Sequence, residues 1–403
     1  MIFIPKKEAV RNAVYIGGMC SISYLAVYIA RNILSAVSPE LDANNIFTKG
    51  QIGTLSSIYF ICYGIGQLIN GAIGDKIKTK YMISTGLCLA GVCNLLFALL
   101  SGTAMAAFIV YGLTGFFLSM IYGPMTKLVA ENTEPAYATR CSLGYTFASF
   151  LGSPVAGLIS AIMAWKRVFT LSTAILIFMG ITCFIVFSIM EKQGIIKYNQ
   201  YAPPKEKGGS IKTLIKHKII KFTFISIITG VVRTSVVFWL PNYLSQYLNF
   251  STTNSKMIFS IATLIISFTA FIAIFIYERL NRNMDLTILL AFISATVSFA
   301  LVYFVDHMWV NIVFMILAIM SSNCAASMLW SRYCPSLRDT GVVSSATGFL
   351  DFVSYMAAAA SSAIFGNAVS AIGWDNLILI WFGLMVAGVI VALPYDKFKK
   401  KNV

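Results

Sequence analysis

Charge is scarce in this chain. Only 11% of its 403 residues are Asp, Glu, Lys or Arg, where a soluble globular protein carries about 25%. Acid is scarcer than base, with 15 Asp and Glu against 30 Lys and Arg. A water-soluble fold of this length needs a polar shell that so few charges cannot build. With 58% of residues hydrophobic, a disordered chain is excluded as well. Histidine occurs only at positions 217 and 307, which leaves little for a zinc site or for histidine catalysis. The eight cysteines form no CxxC or Cys/His metal spacing. These shortages lead us to expect no metal, no cofactor and no enzymatic chemistry.

What the chain has in quantity is apolar sequence, with a mean hydropathy of +0.80. Runs of the length needed to cross a bilayer, about 20 residues, recur along it. We read about twelve: 13–36, 50–73, 82–101, 104–129, 139–164, 168–190, 219–247, 255–277, 286–305, 308–330, 342–371 and 375–394. Strands of a membrane barrel would be about 10 residues long and would alternate apolar with polar. These runs do neither, so the expected fold class is an all-α polytopic membrane protein.

The bases sort by loop. Lys6, Lys7 and Arg11 precede the first run, Lys76, Lys78 and Lys80 follow the second, and Arg140 follows the fourth. Eight lysines lie between 192 and 221, and Arg279, Arg282, Arg332, Arg338 and the four tail lysines complete the same side. The alternate loops hold only Lys49, Lys166, Arg167 and Lys256. By the positive-inside rule, both termini and the long middle loop are expected to be cytoplasmic, with the protein in the cytoplasmic (inner) membrane. The formal charge of +15 is then mostly topology. No nucleic-acid partner is expected, because the bases are spread over many loops.

The segment 191–217 is the one long polar stretch, and it divides the runs six and six. This predicts a six-helix bundle over 1–190, a cytoplasmic linker over 191–217 and a second bundle over 218–403. A repeat supports the division. Arg31 in the first run and Arg233 in the seventh lie 202 positions apart, and each is followed eight residues later by a proline, Pro39 and Pro241. Asp75 and Glu278 lie 203 apart, each after the second run of its half. Two parallel six-helix halves resemble the major facilitator architecture, whose sites lie near the bilayer midplane. The loop GAIGDKIKTK (71–80) resembles the charged loop that this family carries between spans two and three, although Lys78 stands where a glycine is usual. On that resemblance Asp75 is a gating residue.

Arginine inside a membrane span costs about 2.5–3.5 kcal/mol on insertion scales, so such residues tend to face a cavity and to be functional. Arg31 and Arg233 both sit mid-span, and one acid, Asp351, falls in the interior of an apolar run. Two planar guanidinium forks against one carboxylate point to a small anion as substrate. Tyr24, Tyr28 and Arg31 share one helix face by their spacing of four and three, and Tyr63, Gln67 and Asn70 repeat it in the second span.

At these residues the chain resembles the organophosphate:phosphate antiporters, the glycerol-3-phosphate and hexose-6-phosphate exchangers. The resemblance is carried by YLAVYIARNILSAVSPEL (24–41), GFFLSMIYGPMTK (115–127) and GVVRTSVVFWLPNYL (230–244). It implies that Arg31 and Arg233 grip a phosphoryl group, that Tyr24, Tyr28 and Tyr63 line the site, and that Tyr122 lies nearby. It also marks departures. Ser149 stands where relatives carry a histidine, Gln67 where they carry a lysine, and Phe352, beside Asp351, where they carry a tyrosine. The resemblance thus implies that the phosphate end of the site is retained and that the end reading the organic group has changed.

The expected function is therefore secondary active transport of small organic anions, with a phosphorylated metabolite exchanged for inorganic phosphate by a monomer in the lipid bilayer. Asp351 supports an alternative, a proton-coupled symporter of sugar acids or similar anions, since a carboxyl group in low dielectric can carry a proton. A transporter-like membrane sensor is the third reading.

Overall fold

The computed structural model describes residues 6–74, 77–198, 215, 217–337 and 343–393. Regular structure among them is helical throughout. In chain order the helices are α1 (Lys6–Ala43), α2 (Lys49–Gly74), α3 (Thr79–Leu100), α4 (Ala104–Leu118 continued by Tyr122–Asn132), α5 (Pro135–Ile162) and α6 (Trp165–Lys192). After these come α7 (Ile219–Gly230, a π-helical turn Val231–Val236, and Val237–Gln246) and α8 (Thr252–Ser267 and Thr269–Arg279). Next are α9 (Met284–Phe304) and α10 (Met308–Met328, extended by a π-helical turn Leu329–Tyr333). The final stretch Val343–Ala392 is interrupted at Gly373, whose φ of 78° is a backbone conformation that side-chain-bearing residues rarely adopt. It therefore comprises α11 (343–372) and α12 (374–392).

Among the described residues, eleven helical stretches are long and apolar enough to cross a membrane. The last, Gly348–Ala392, has 45 residues, about twice what one crossing needs, and its break at Gly373 lets it supply two. Large apolar side chains lie on the outside of these helices: Leu99, Ile162, Phe178 and Phe304 are each more than two-thirds exposed. A soluble protein would bury them; a lipid-facing surface requires them.

The chain divides into two compact units, Met1–Pro204 with Phe250–Leu264, and Lys205–Asn249 with Ile265–Val403. In the first unit, α1 packs on α5 and α6, α2 on α4, and α3 on α4 and α6. Small residues permit the approach. A Cβ on Gly115 would stand 2.5 Å from the Tyr59 backbone oxygen, so α2 and α4 meet backbone to side-chain-less backbone. Buried polar groups tie the same helices together: Asn94 donates to Ser172 Oγ at 3.0 Å, and Asn70 donates to Ser119 Oγ at 2.8 Å. Pro39 has no N–H to give the Ser35 carbonyl one turn back, and the Ser38 hydroxyl donates to that carbonyl instead, at 2.7 Å.

Segment 250–264 brings an ion pair into the first unit. Lys256 Nζ pairs with Glu40 near the end of α1, and also donates to the Ser160 carbonyl at 2.9 Å. Glu40 in turn accepts from the Trp165 backbone N–H at 3.1 Å, an amide of the first turn of α6 that has no helical partner. Lys256, counted above with the loop bases at the edge of the expected run 255–277, is thus 4% exposed inside a helix.

In the second unit, α7 lies along α11. Ser226 donates to the Leu350 carbonyl and Ser235 to the Ala358 carbonyl, both at 2.8 Å. Between them Gly230 leaves no room for a side chain against Ser354. Tyr243 on α7 donates to Asn311 of α10, whose amide group donates on to the Val302 and Val305 carbonyls at 2.8 and 3.1 Å.

Candidate functional site

In the first unit the candidate residues converge on Arg31. Its guanidinium lies 5.1 Å from the Tyr28 ring centre, 5.2 Å from Phe60 and 5.3 Å from Tyr63. Three aromatic faces around one cation form a cage, with each contact inside the roughly 6 Å range of a cation–π interaction. The geometry follows from helical spacing: Tyr28 precedes Arg31 by three residues on α1, and Phe60 precedes Tyr63 by three on α2. Phe60 escaped the sequence reading because it is apolar and sits in an apolar run, although its spacing from Tyr63 places it on the same face.

A second aromatic set extends this cage. Tyr24 is edge-on to Tyr28 at 4.9 Å, and it also meets Tyr122 at 5.6 Å and Tyr145 at 6.0 Å. Tyr122 reaches it because α4 breaks just before this residue. Pro124 has no N–H to give the Met120 carbonyl, and the regular helix is interrupted at 119–121, where Ser119 and Ile121 keep right-handed helical angles. Of the other expected residues, Gln67 lies half-buried one turn beyond Tyr63, and Ser149 is buried with its hydroxyl donating to the Thr146 carbonyl. Gly152, one turn beyond Ser149, fixes how closely α5 meets Tyr28: a Cβ there would lie 2.4 Å from Tyr28 Cβ.

In the second unit Arg233 is half-buried within the π-helical turn of α7. Its guanidinium lies 5.9 Å from the ring centre of Trp330, which itself sits in the π-helical turn of α10. Trp330 is a partner that the sequence reading missed, since nothing in an apolar run marks one tryptophan as facing a cation. Asp351 and Phe352 are half-buried on α11, in the stretch between Leu350 and Ser354 that packs along α7. Asp75 and most of the expected linker lie outside the described residues.

Each compact unit thus carries one such arginine with aromatic contacts, within a helix long and apolar enough to cross a membrane. The sequence model of the Major Facilitator Superfamily matches residues 20–362. The chain belongs to that superfamily.

Membership in the Major Facilitator Superfamily places the protein in a family of multi-pass membrane proteins, and the relatives it matches bear out the resemblance drawn from spans one, four and seven. Membrane sensor protein UhpC of Salmonella typhimurium is 32% identical over 97 residues, 24% of this chain and 22% of that protein. The chain thus aligns with about a fifth of the length of that relative. The glycerol-3-phosphate transporter of Bacillus subtilis is 25% identical over 272 residues, 62% of this chain and 61% of the relative. Among solved structures, a bacterial homolog of the human lysosomal transporter Spinster superposes with a TM-score of 0.75 at 11% identity, covering 94% of this chain and 95% of that one. That likeness establishes the major facilitator fold.

Proposed function

We propose that this protein moves a phosphorylated organic metabolite across the cytoplasmic membrane in exchange for inorganic phosphate, as a monomer with both termini in the cytoplasm. The observation that carries the reading is Arg31, a guanidinium inside a membrane helix held among the faces of Tyr28, Phe60 and Tyr63. Phosphoryl oxygens are recognised by the in-plane N–H fork of a guanidinium. Arg233, its counterpart 202 positions later, has a cation–π contact with Trp330, 5.9 Å from its ring centre. The glycerol-3-phosphate transporter named above is a relative whose substrate carries such a group.

Exchange follows from the charge. Bringing guanidinium groups into a dehydrated state is costly, and a phosphate dianion beside them lowers that cost. The loaded protein then changes state more readily than the empty one, which couples movement in one direction to movement in the other. Replacing either Arg31 or Arg233 by Lys keeps the charge and removes the fork. Charge-assisted hydrogen bonds contribute about 1.5–3 kcal/mol each, so exchange of labelled phosphate in liposomes should fall roughly tenfold or more for each variant. Wild-type rates in both variants would end the proposal.

Asp351 favours a second reading, proton-coupled uptake of an organic anion, because it places a carboxyl group on a helix within the membrane-spanning part of the chain. Uptake driven by an imposed pH gradient into liposomes without internal phosphate would support that reading over exchange. A sensor that does not transport would show neither activity.

A further inference from the structure

The two arginines are held differently. Among the described residues, Arg31 sits in regular α-helix with three rings around it, whereas Arg233 meets one ring, that of Trp330, and both members of that pair lie in π-helical turns. A π-turn inserts one residue into an α-helix and rotates the residues beyond it; such turns are rare and occur frequently at functional sites. Two of them on neighbouring helices, each presenting one member of the same contact, are the least expected feature of the second unit.

Each turn is anchored by its surroundings. The turn in α7 lies between the Gly230–Ser354 approach and the Ser235 hydroxyl, which donates to the Ala358 carbonyl and lies within 2.6 and 2.9 Å of the Ser361 and Ser362 hydroxyls. The turn in α10 is held by Tyr333, whose ring stacks on Phe222 at 3.5 Å and whose hydroxyl donates to the His217 carbonyl at 2.9 Å. Both backbones are therefore fixed from outside the Arg233–Trp330 contact.

We propose that Trp330 is a positioning residue for substrate binding: its ring, 5.9 Å from the Arg233 guanidinium, holds that side chain by a cation–π contact and leaves its N–H donors to a phosphoryl group. This rests on the reading of Arg233 as part of the anion site. A flexible arginine without such a face would lose side-chain freedom on each binding event. Trp330 orders it beforehand, and it does so with a π surface that leaves the in-plane donors to the ligand.

The test uses the purified full-length protein with inorganic phosphate as the probe, in three variants: Trp330→Leu, Trp330→Phe and Arg233→Lys. Trp330→Leu should raise the KM for phosphate exchange roughly threefold to tenfold with a smaller change in kcat, the signature of lost ground-state binding. Trp330→Phe, which keeps an aromatic face, should recover part of that loss. Phosphate titration should also change the tryptophan emission of the wild type through Trp330, one of six tryptophans. That change should be missing in Trp330→Phe.

If Arg233→Lys abolishes exchange while Trp330→Leu keeps the wild-type KM, the positioning role is refuted and the anion site stands. If Arg233→Lys is itself neutral, the underlying reading of the site fails, and the inference fails with it. Should Trp330→Leu not fold, Trp330→Phe still decides: an emission change equal to that of the wild type overturns the proposal.

Discussion

Lys256 offers the sharpest test of the packing. Its side chain is 5% exposed and that of its partner Glu40 is 16% exposed, so water screens neither charge effectively. Replacing Lys256 by Met preserves most of the volume and removes the ammonium. Glu40 is then left buried with the Trp165 amide as its remaining charge-stabilising donor, and the Ser160 carbonyl loses the donor it receives from Lys256. Removing one member of a buried pair costs about 3–5 kcal/mol, while replacing both by apolar residues is often close to neutral. For a body of 150–250 residues each kcal/mol corresponds to about 2–4 °C, so Lys256→Met should lower the unfolding temperature in detergent by at least about 6 °C. The paired change Glu40→Leu with Lys256→Met should recover most of that loss, short of the Trp165 amide. Thermal unfolding followed by thiol reactivity of the buried cysteines reads both. The reasoning is refuted if Lys256→Met unfolds within about 1 °C of the wild type, or if the double variant is as unstable as the sum of its singles.

Three further outcomes rest on particular contacts. Gly152→Ala puts a methyl group 2.4 Å from Tyr28 Cβ, so α1 and α5 must part; an overpacking cost of about 1–3 kcal/mol should appear in thermal unfolding together with reduced phosphate exchange. Tyr243→Phe leaves the Asn311 side-chain oxygen buried without its donor, which should cost about 1–3 kcal/mol in denaturation and leave phosphate exchange near the wild-type rate. Tyr247 is pushed up to about 12, first by burial and then by its hydrogen bond to Asp375. A raised value means that the folded protein holds the proton more tightly than the unfolded chain. Its contribution is complete below the ordinary tyrosine value near 10 and is lost between about pH 10 and 12. Unfolding measured across that window should therefore fall less steeply in Tyr247→Phe than in the wild type.

Much of the architecture was legible in one dimension. Apolar runs long enough to cross a bilayer locate the helices, because in hydrocarbon the backbone must satisfy its own hydrogen bonds. The expected run at 50–73 is the helix Lys49–Gly74, and the division near 372–374 is the break at Gly373. Spacings of three and four residues placed Tyr24, Tyr28 and Arg31 together, and their ring contacts follow. The interruption at 119–121 and the π-helical turns Val231–Val236 and Leu329–Tyr333 were not legible, since neither changes the apolar run in which it lies.

The sequence by itself determined the membrane class, the helices and the two arginines, because each rests on composition or on a local period. Only the tertiary structure decided what those residues touch. It closed Phe60 over Arg31, set Trp330 against Arg233 and paired Lys256 with Glu40, 216 positions away. It also gathered segment 250–264 into the first unit. Helical periodicity states which face a residue occupies; which other helix meets that face depends on close approach at glycine and serine. That is a property of pairs of segments, which no single segment carries.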